Sequence, residues 1–170
     1  METENHFAFF EFPEQFDIDE GVLRRVYLKL SKRHHPDFFV NDARAHNEAI
    51  AMTAVINKAY ETLSKQEVRI AYLLRLKGKL DEKGGKLDPM FLMEMMDWNE
   101  RIYESAPNQI KSLMDEYLAK DKALKEELWS ACLLYDRESN EENLEQVKDF
   151  YLKSKYLLRI KEAIDKFADA

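Results

Sequence analysis

The chain has 170 residues, of which 45% are hydrophobic and 35% are charged, and its formal net charge is −7. This length can bury the core of one domain or of two small ones. No apolar run reaches the roughly 18–20 residues that cross a bilayer, so we expect no membrane association. The negative charge also argues against general nucleic-acid binding, because phosphate contacts need clustered positive charge.

The N-terminus, METENHFAFF, contains acidic residues where a signal or transit peptide would carry lysines or arginines. We therefore expect a cytoplasmic protein. The only cysteine, Cys132, cannot form an intrachain disulfide, and its helical context predicts a buried apolar side chain. A lone buried thiol fits a reducing compartment.

Charge and glycine are unevenly distributed along the chain. Residues 1–77 contain 11 Lys and Arg against 12 Asp and Glu, whereas residues 86–170 contain 13 against 19. Three of the four glycines, Gly78, Gly84 and Gly85, lie between these two stretches. A polar segment with several glycines is typical of a domain boundary. We predict two modules, both all-helical, because no sustained strand alternation occurs.

Prolines and N-cap residues bound the predicted helices of the first module. A short apolar helix, HFAFFEF, is closed by Pro13. The next helix is predicted to begin at Asp17, with Glu20 completing a capping box. It must stop near His35, because Pro36 disfavours helical geometry in the residue before it. Its apolar stripe consists of Leu23, Val26, Tyr27, Leu30 and His34.

Similar signals place the remaining helices. A third helix has apolar residues at i, i+3 and i+4 spacing, and a fourth, QEVRIAYLLRLK, follows almost at once. In the second module, Asp88 and Pro89 start a helix, Pro107 marks the next boundary, and Ser139 with Glu142 predicts a capping box for the last helix. Three long helices with short connections favour an antiparallel three-helix bundle.

The tetrapeptide His34-His35-Pro36-Asp37 has three interpretations. Histidine and carboxylate are zinc ligands, so a metal-dependent hydrolase site is one of them. Adjacent histidines point in different directions, however, and no further ligand follows at helical spacing, so we expect neither a metal nor a cofactor. The second interpretation is a helix stop followed by an ordinary loop. The third is a rigid corner for contact with another protein.

The sequence around this tetrapeptide resembles the J-domain of DnaJ-type co-chaperones. The HPD motif follows a basic amphipathic helix, and INKAYETLS and RIAYLL come later at J-domain spacing, a resemblance that covers residues 5–77. It implies that the corner stimulates ATP hydrolysis on a DnaK-type chaperone. His34, where J-domains usually carry an aromatic residue, is expected to pack. The positions implied to bind the chaperone are His35, Pro36, Asp37, Arg24, Tyr27, Lys29 and Arg33, with Arg25 and Lys32 compensating for Leu28, where many J-domains are basic.

The helix that starts at Pro89 has two apolar faces. One stripe falls within about 40° on the helical wheel and is predicted to face the bundle core. A second patch, of leucine and methionine with an acidic border, points away from it and is typical of a protein-binding surface. A bundle helix with two buried flanks would give the same pattern. The stripe is Phe91, Met95, Trp98 and Ile102, and the second patch with its border is Leu92, Met93, Met96, Asp97, Glu100 and Glu104.

The combination of RIAYLLRLKG with DPMFLMEMMDWNERIYE resembles the HscB-type co-chaperones of iron–sulfur cluster assembly. The resemblance implies a J-domain over 1–77, a linker over 78–87 and a three-helix bundle over 88–170, in an L-shaped arrangement. The second patch would bind an IscU-type scaffold, with a further contact from Leu152, or from Tyr151 in a shifted register.

The J-domain would then deliver the scaffold to an HscA- or DnaK-type chaperone, and the protein itself would not be an enzyme. Without a cysteine-rich N-terminal extension, the sequence favours a bacterial cytoplasmic form. A J-domain co-chaperone for a different client is the alternative function.

Overall fold

The computed structural model describes residues 5–80 and 86–168, and the chain divides into two compact units, Met1–Lys77 and Gly78–Ala170. All regular structure within the described residues is helical, so the predicted all-α fold is confirmed. None of the helices in these ranges is long and apolar enough to cross a membrane. Gly84 and Gly85 of the predicted linker lie outside the described residues, and the L-shaped arrangement stays a prediction.

An antiparallel helical hairpin forms the centre of the first unit. The hydroxyl of Tyr27 donates to Asn57 Oδ1 at 3.1 Å, and that of Thr53 donates to the carbonyl of His34 at 3.1 Å. Moving towards the C-terminus of the first helix, the contacts move towards the N-terminus of the second, so the two helices are antiparallel. The elements are α1 (His6–Phe9), α2 (Glu20–Arg33), a 3₁₀ turn (Pro36–Phe39), α3 (Ala43–Ser64) and α4 (Gln66–Leu76).

The start of α2 differs from the prediction. Asp19, and not Asp17, is the N-cap, and its carboxylate accepts from the backbone N–H of Val22 at 2.8 Å. The side chains of Phe16 and Ile18 are 0% and 8% exposed. Burying these two apolar residues requires the chain to remain non-helical until residue 19, so the tertiary core overrides the earlier cap.

A buried arginine holds α4 to the rest of the first unit. The Arg69 side chain is 2% exposed, and its guanidinium donates to the carbonyl of Phe16 at 2.8 Å and to that of Leu63. The backbone N–H of His6 donates to the hydroxyl of Tyr72 at 2.8 Å. These contacts hold the N-terminal segment and α4 together around the α2–α3 hairpin.

The second unit is a three-helix bundle. Its first helix starts as predicted, with Pro89 in the first turn and Asp88 Oδ1 accepting from the N–H of Met90 at 3.1 Å. The elements are α5 (Pro89–Glu104), a 3₁₀ turn (Pro107–Gln109), α6 (Ile110–Arg137) and α7 (Glu141–Ala168). The ion pairs Arg101–Glu116 and Glu94–Lys120 show that α5 and α6 are antiparallel. The ring contacts Phe91–Tyr156 and Tyr103–Phe167 show that α5 and α7 are parallel.

The predicted capping box of Ser139 and Glu142 at the start of α7 is wrong. Asn140 Oδ1 accepts from the N–H of Asn143 at 2.9 Å. The Ser139 hydroxyl instead donates to the carbonyl of Tyr135 at 3.2 Å, which satisfies an acceptor in the last turn of α6. The short connection between the two 28-residue helices thus places hydrogen-bonding side chains at both helix ends.

The bundle core includes the stripe predicted on α5. Phe91, Met95, Trp98 and Ile102 are all at most 7% exposed and join one cluster with residues of α6 and α7. Cys132 is also buried, as predicted. The α6 and α7 members of the cluster are Ile110, Leu113, Tyr117, Leu124, Leu157, Ile160 and Ile164.

Candidate protein-binding surfaces

The HPD corner, His35 to Asp37, begins where α2 ends. The N–H of His34 donates to the carbonyl of Leu30 at 3.0 Å, which closes the last turn of the helix. The carbonyl of His34 accepts from Thr53 of α3, so both helices of the hairpin fix the start of the corner. The side chain of His34 is half-buried. Pro36 thus ends the helix close to the predicted residue.

Local hydrogen bonds define the shape of the corner. His35 is extended (φ −67°, ψ 126°), and its Nδ1 accepts from the N–H of Asp37 at 3.3 Å. The carbonyl of His35 accepts from the N–H of Phe38 at 3.1 Å. With Nδ1 acting as acceptor, the imidazole proton is assigned to Nε2. The side chains of His35 and Asp37 are 53% and 81% exposed, so both remain available to a partner.

The HPD corner brings together only two side chains that could bind a metal ion. Its His35 Nδ1 and Asp37 Oδ2 lie 3.6 Å apart. Within residues 5–80 and 86–168, no group of three or more His, Cys, Asp or Glu side chains is arranged to hold a metal ion. A tetrahedral zinc site needs at least three protein ligands, and this pair supplies two.

The outer face of α2 carries exposed cations. Five Lys and Arg side chains are exposed there, and none takes part in an ion pair with any residue that the structure describes. Tyr27, the sixth α2 residue implied to bind the chaperone, is half-buried and stacks on Tyr60 with ring centroids 4.1 Å apart. The five cations are Arg24, Arg25, Lys29, Lys32 and Arg33.

The second apolar patch of α5 is not covered by a neighbouring helix of the bundle. Met93 and Met96 are 61% and 68% exposed, whereas Met95 between them is 0% exposed. Leu92 is half-buried. Of the two sequence interpretations, two buried flanks or an exposed patch, the methionines support the exposed patch.

An unpaired acidic border accompanies this patch. Asp97, Glu100 and Glu104 are exposed and form no ion pair within the described residues. Glu94, three residues before Asp97 on the same helix, pairs instead with Lys120 of α6 at 2.5 Å. The acids beside the methionines therefore keep their charge available for a partner.

The predicted contact on α7 lies near the first turn of α5. Lys153 Nζ is 5.8 Å from the centroid of the Phe91 ring, which brings this turn of α7 beside the start of α5. Leu152 is half-buried, whereas Tyr151 is 8% exposed. Of the two alternatives, Leu152 is the more accessible.

Two exposed aromatic residues were missed by the sequence interpretation. Tyr103 is 71% exposed and lies seven residues after Met96, which puts it on the same face of α5. That spacing was visible in the sequence. Phe38, directly after the HPD corner, is 66% exposed, and no periodic signal exists in a turn of four residues that could have revealed it.

Two family models match the chain over these two units. One, described as a DnaJ domain, matches residues 5–72, and the other, described as an HSCB C-terminal oligomerisation domain, matches residues 87–165. With the HPD corner at the end of a cationic helix, these matches define the protein as a J-domain co-chaperone.

Relatives that match over nearly their whole length, together with solved structures, identify the family. The chain is 32% identical over 174 residues to a "Co-chaperone protein HscB homolog" of Shewanella denitrificans, covering 98% of each chain. It is 31% identical over 171 residues to the Cupriavidus taiwanensis homolog, covering 98% of this chain and 97% of the relative.

The human co-chaperone protein HscB has a TM-score of 0.71 at 27% identity, with 96% of this chain and 82% of the human one covered. The chaperone HscB from Vibrio cholerae has a TM-score of 0.69 at 26% identity, with 97% of this chain and 98% of the Vibrio chain covered. The chain belongs to the HscB family of iron–sulfur cluster co-chaperones.

Proposed function

We propose that this protein binds an IscU-type cluster scaffold through α5 and delivers it to an HscA- or DnaK-type chaperone, whose ATPase it stimulates through the HPD corner. The chaperone would bind His35, Pro36 and Asp37 together with Tyr27 and the five α2 cations. The scaffold would bind the Leu92–Met93–Met96 patch, its acidic border and Leu152, and Tyr103 extends this face.

The observation that carries the proposal is that α2 and α5 expose charges of opposite sign that form no ion pair with any described residue. Charges that are already paired within a protein gain little from a new partner, whereas unpaired ones steer and orient an encounter. The cationic face of α2 fits an acidic chaperone surface. The acidic, methionine-containing face of α5 fits a scaffold surface with basic and apolar groups.

The geometry of the corner supports a role in triggering a reaction on a partner. Pro36 and the hydrogen bond from the Asp37 N–H to His35 Nδ1 hold the imidazole and the backbone of the corner in one arrangement, so less conformational entropy is lost on docking. Binding the scaffold and the chaperone to one chain raises the effective concentration of each for the other. In this proposal the hydrolysis of ATP takes place on the chaperone.

The proposal is tested with the purified full-length chain, an IscU-type scaffold and an HscA- or DnaK-type chaperone. We expect the chain to stimulate the chaperone ATPase and His35→Gln to abolish the stimulation at saturating concentration. Scaffold affinity measured by calorimetry should be unchanged by His35→Gln, because the corner is not on the scaffold surface.

His46→Gln is the matched control, since His46 lies on α3 outside both surfaces and should leave stimulation and scaffold affinity unchanged. Full stimulation by His35→Gln would contradict the assignment of the trigger. Stimulation by the wild-type chain without any binding of the scaffold would favour the alternative, a J-domain co-chaperone for a different client.

A further inference from the structure

An exposed apolar segment continues the HPD corner. Phe38 and Val40 are 66% and 65% exposed, whereas Phe39 between them is half-buried. Successive residues of a 3₁₀ turn project about 120° apart, so one aromatic ring of the turn can be sheltered while its neighbour projects into solvent. The exposure of Phe38 therefore follows from the turn that Pro36 starts.

The ring of Phe38 is part of the same surface as the trigger residues. It meets the imidazole of His35 edge-on, with centroids 6.0 Å apart and an interplanar angle of 66°. Asp37, between them in sequence, has a side chain that is 81% exposed. A partner that covers His35 and Asp37 would therefore also contact this ring.

A second apolar side chain lies within the cationic face of α2. Leu28 is 55% exposed, and it lies four residues from both Arg24 and Lys32, which places it between them on the helix. The proposed chaperone surface is thus cationic with three exposed apolar positions, Phe38, Val40 and Leu28. A purely charged partner surface would leave all three without complementary contacts.

We propose that Phe38, extended by Val40 and assisted by Leu28, is an apolar anchor that inserts into a recess on the acidic surface of the DnaK-type chaperone. This inference rests on the proposed function. The anchor determines affinity and the choice of chaperone, whereas His35 and Asp37 trigger hydrolysis. Large aromatic side chains in the middle of an interface commonly dominate its affinity, and desolvation of the ring makes that contribution insensitive to salt.

The test uses the full-length chain and measures chaperone ATPase rate against co-chaperone concentration. For Phe38→Ala we expect the half-maximal concentration to rise about tenfold or more, with the maximal stimulation unchanged. Phe38→Leu keeps an apolar side chain and should recover part of the loss. Val68→Ala, an exposed apolar position on α4 of the same unit, is the matched control and should change neither quantity.

The dependence of affinity on salt separates the ring from the cations. Removing Phe38 removes no charge, so the slope of affinity against ionic strength should stay that of the wild type, whereas Lys29→Ala should reduce that slope. Circular dichroism confirms that each variant is folded.

Three results would overturn the inference. They are a Phe38→Ala curve that superimposes on the wild type, a loss of maximal stimulation at saturation, and a self-associating wild type that Phe38→Ala converts to monomer in sedimentation. The last would make the ring a contact between copies of this chain. Failure of the wild-type chain to stimulate at all would instead contradict the proposed function, so the two failures are distinguishable.

Discussion

The outer faces of α2 and α5 differ in sign of charge and in the share of apolar surface. On α2, five cations and one exposed leucine, Leu28, lie on the outer face. On α5, the exposed Met93, Met96 and Tyr103 lie beside three acids. Within residues 5–80 and 86–168, none of these eight charged side chains forms an ion pair. The α2 face is suited to electrostatic steering with a small apolar contribution, and the α5 face to apolar burial with charges that set orientation.

Net charge alone does not indicate which charges of a unit are available to a partner. The second unit is the more acidic one, yet many of its charges are neutralised by neighbours within the bundle. Such pairs contribute little to stability and even less to recognition. The lysines paired in this way are Lys79, Lys120, Lys122, Lys125, Lys148, Lys153 and Lys161.

Adjacent methionines on α5 provide the largest expected contrast. Met95→Ala should lower the free energy of unfolding by about 2–5 kcal/mol, because Met95 is fully buried in the bundle core. Met96→Ala should change it by less than about 0.5 kcal/mol, because that side chain is exposed. Denaturant unfolding followed by fluorescence measures this in the second unit alone, since Trp98 and Trp129 are the only tryptophans. An equal loss of unfolding free energy in the two variants would contradict the placement of Met96 on the exposed face.

Truncation of the α5 patch should have the next largest effect. Replacing Leu92, Met93 and Met96 together by alanine should weaken scaffold binding by at least about 2 kcal/mol, the usual size of an apolar hot spot. Leu118→Ala is the matched control, because Leu118 is 51% exposed on α6 and projects about 160° away from Glu116 and Lys120, the residues of α6 that pair with α5. Calorimetry with an IscU-type scaffold measures both. A loss of equal size in the control would show that the patch is not the contact.

Charge reversal on the two faces should separate the two partners. Lys29→Glu should weaken binding of the chaperone by about 1 kcal/mol or more and leave scaffold affinity unchanged, whereas Glu100→Lys should do the reverse. Both losses should shrink as salt is raised, because exposed charges are screened. Binding titrations of each variant with both partners give the full comparison. A Lys29→Glu variant that lost affinity for the scaffold and kept affinity for the chaperone would contradict the assignment of α2 to the chaperone.

Lowering the pH should destabilise the first unit through His6, which the second unit lacks. This is the smallest of the expected effects. Burial lowers the pKa of the His6 imidazole below its ordinary 6.5, and the nearby Lys58 lowers it further. The folded first unit then holds fewer protons than the unfolded chain. The stability contributed by neutral His6 is complete above the unfolded-state pKa and is lost as pH falls through the folded-state pKa. The second unit contains no histidine.

The measurement is thermal unfolding between about pH 7 and pH 5, the range in which histidine titrates. The stability of the first unit should fall with a slope of at most about 1.4 kcal/mol per pH unit, the value for one proton. His6→Phe, which preserves the stacking on Tyr72 at 4.7 Å, should flatten that slope and leave the tryptophan transition of the second unit unchanged. An unaltered slope in His6→Phe would assign the pH dependence to other groups.

Helix type, helix order and the HPD corner could be predicted from the sequence because they depend on local interactions. Pro36 ends α2, Asp88 and Pro89 start α5, and the spacing of Phe91, Met95 and Trp98 predicted the buried stripe, all of which the structure confirms. Caps were less reliable, because several polar residues near a helix start compete for one position. Asp19 and Asn140 are the caps in place of Asp17 and Ser139.

The sequence by itself therefore determined the helices, the corner, the family and the residues that could form each surface. Tertiary structure alone decided which of those residues are exposed and unpaired. Met95 and Met96 have the same side chain, yet one is buried by α6 and α7 and the other faces solvent. Glu94 and Glu100 likewise have the same side chain, yet Glu94 is half-buried and pairs with Lys120 of α6, whereas Glu100 is exposed and pairs with no residue that the structure describes. Exposure and pairing depend on neighbours that are distant in sequence, and these are defined only when the helices pack.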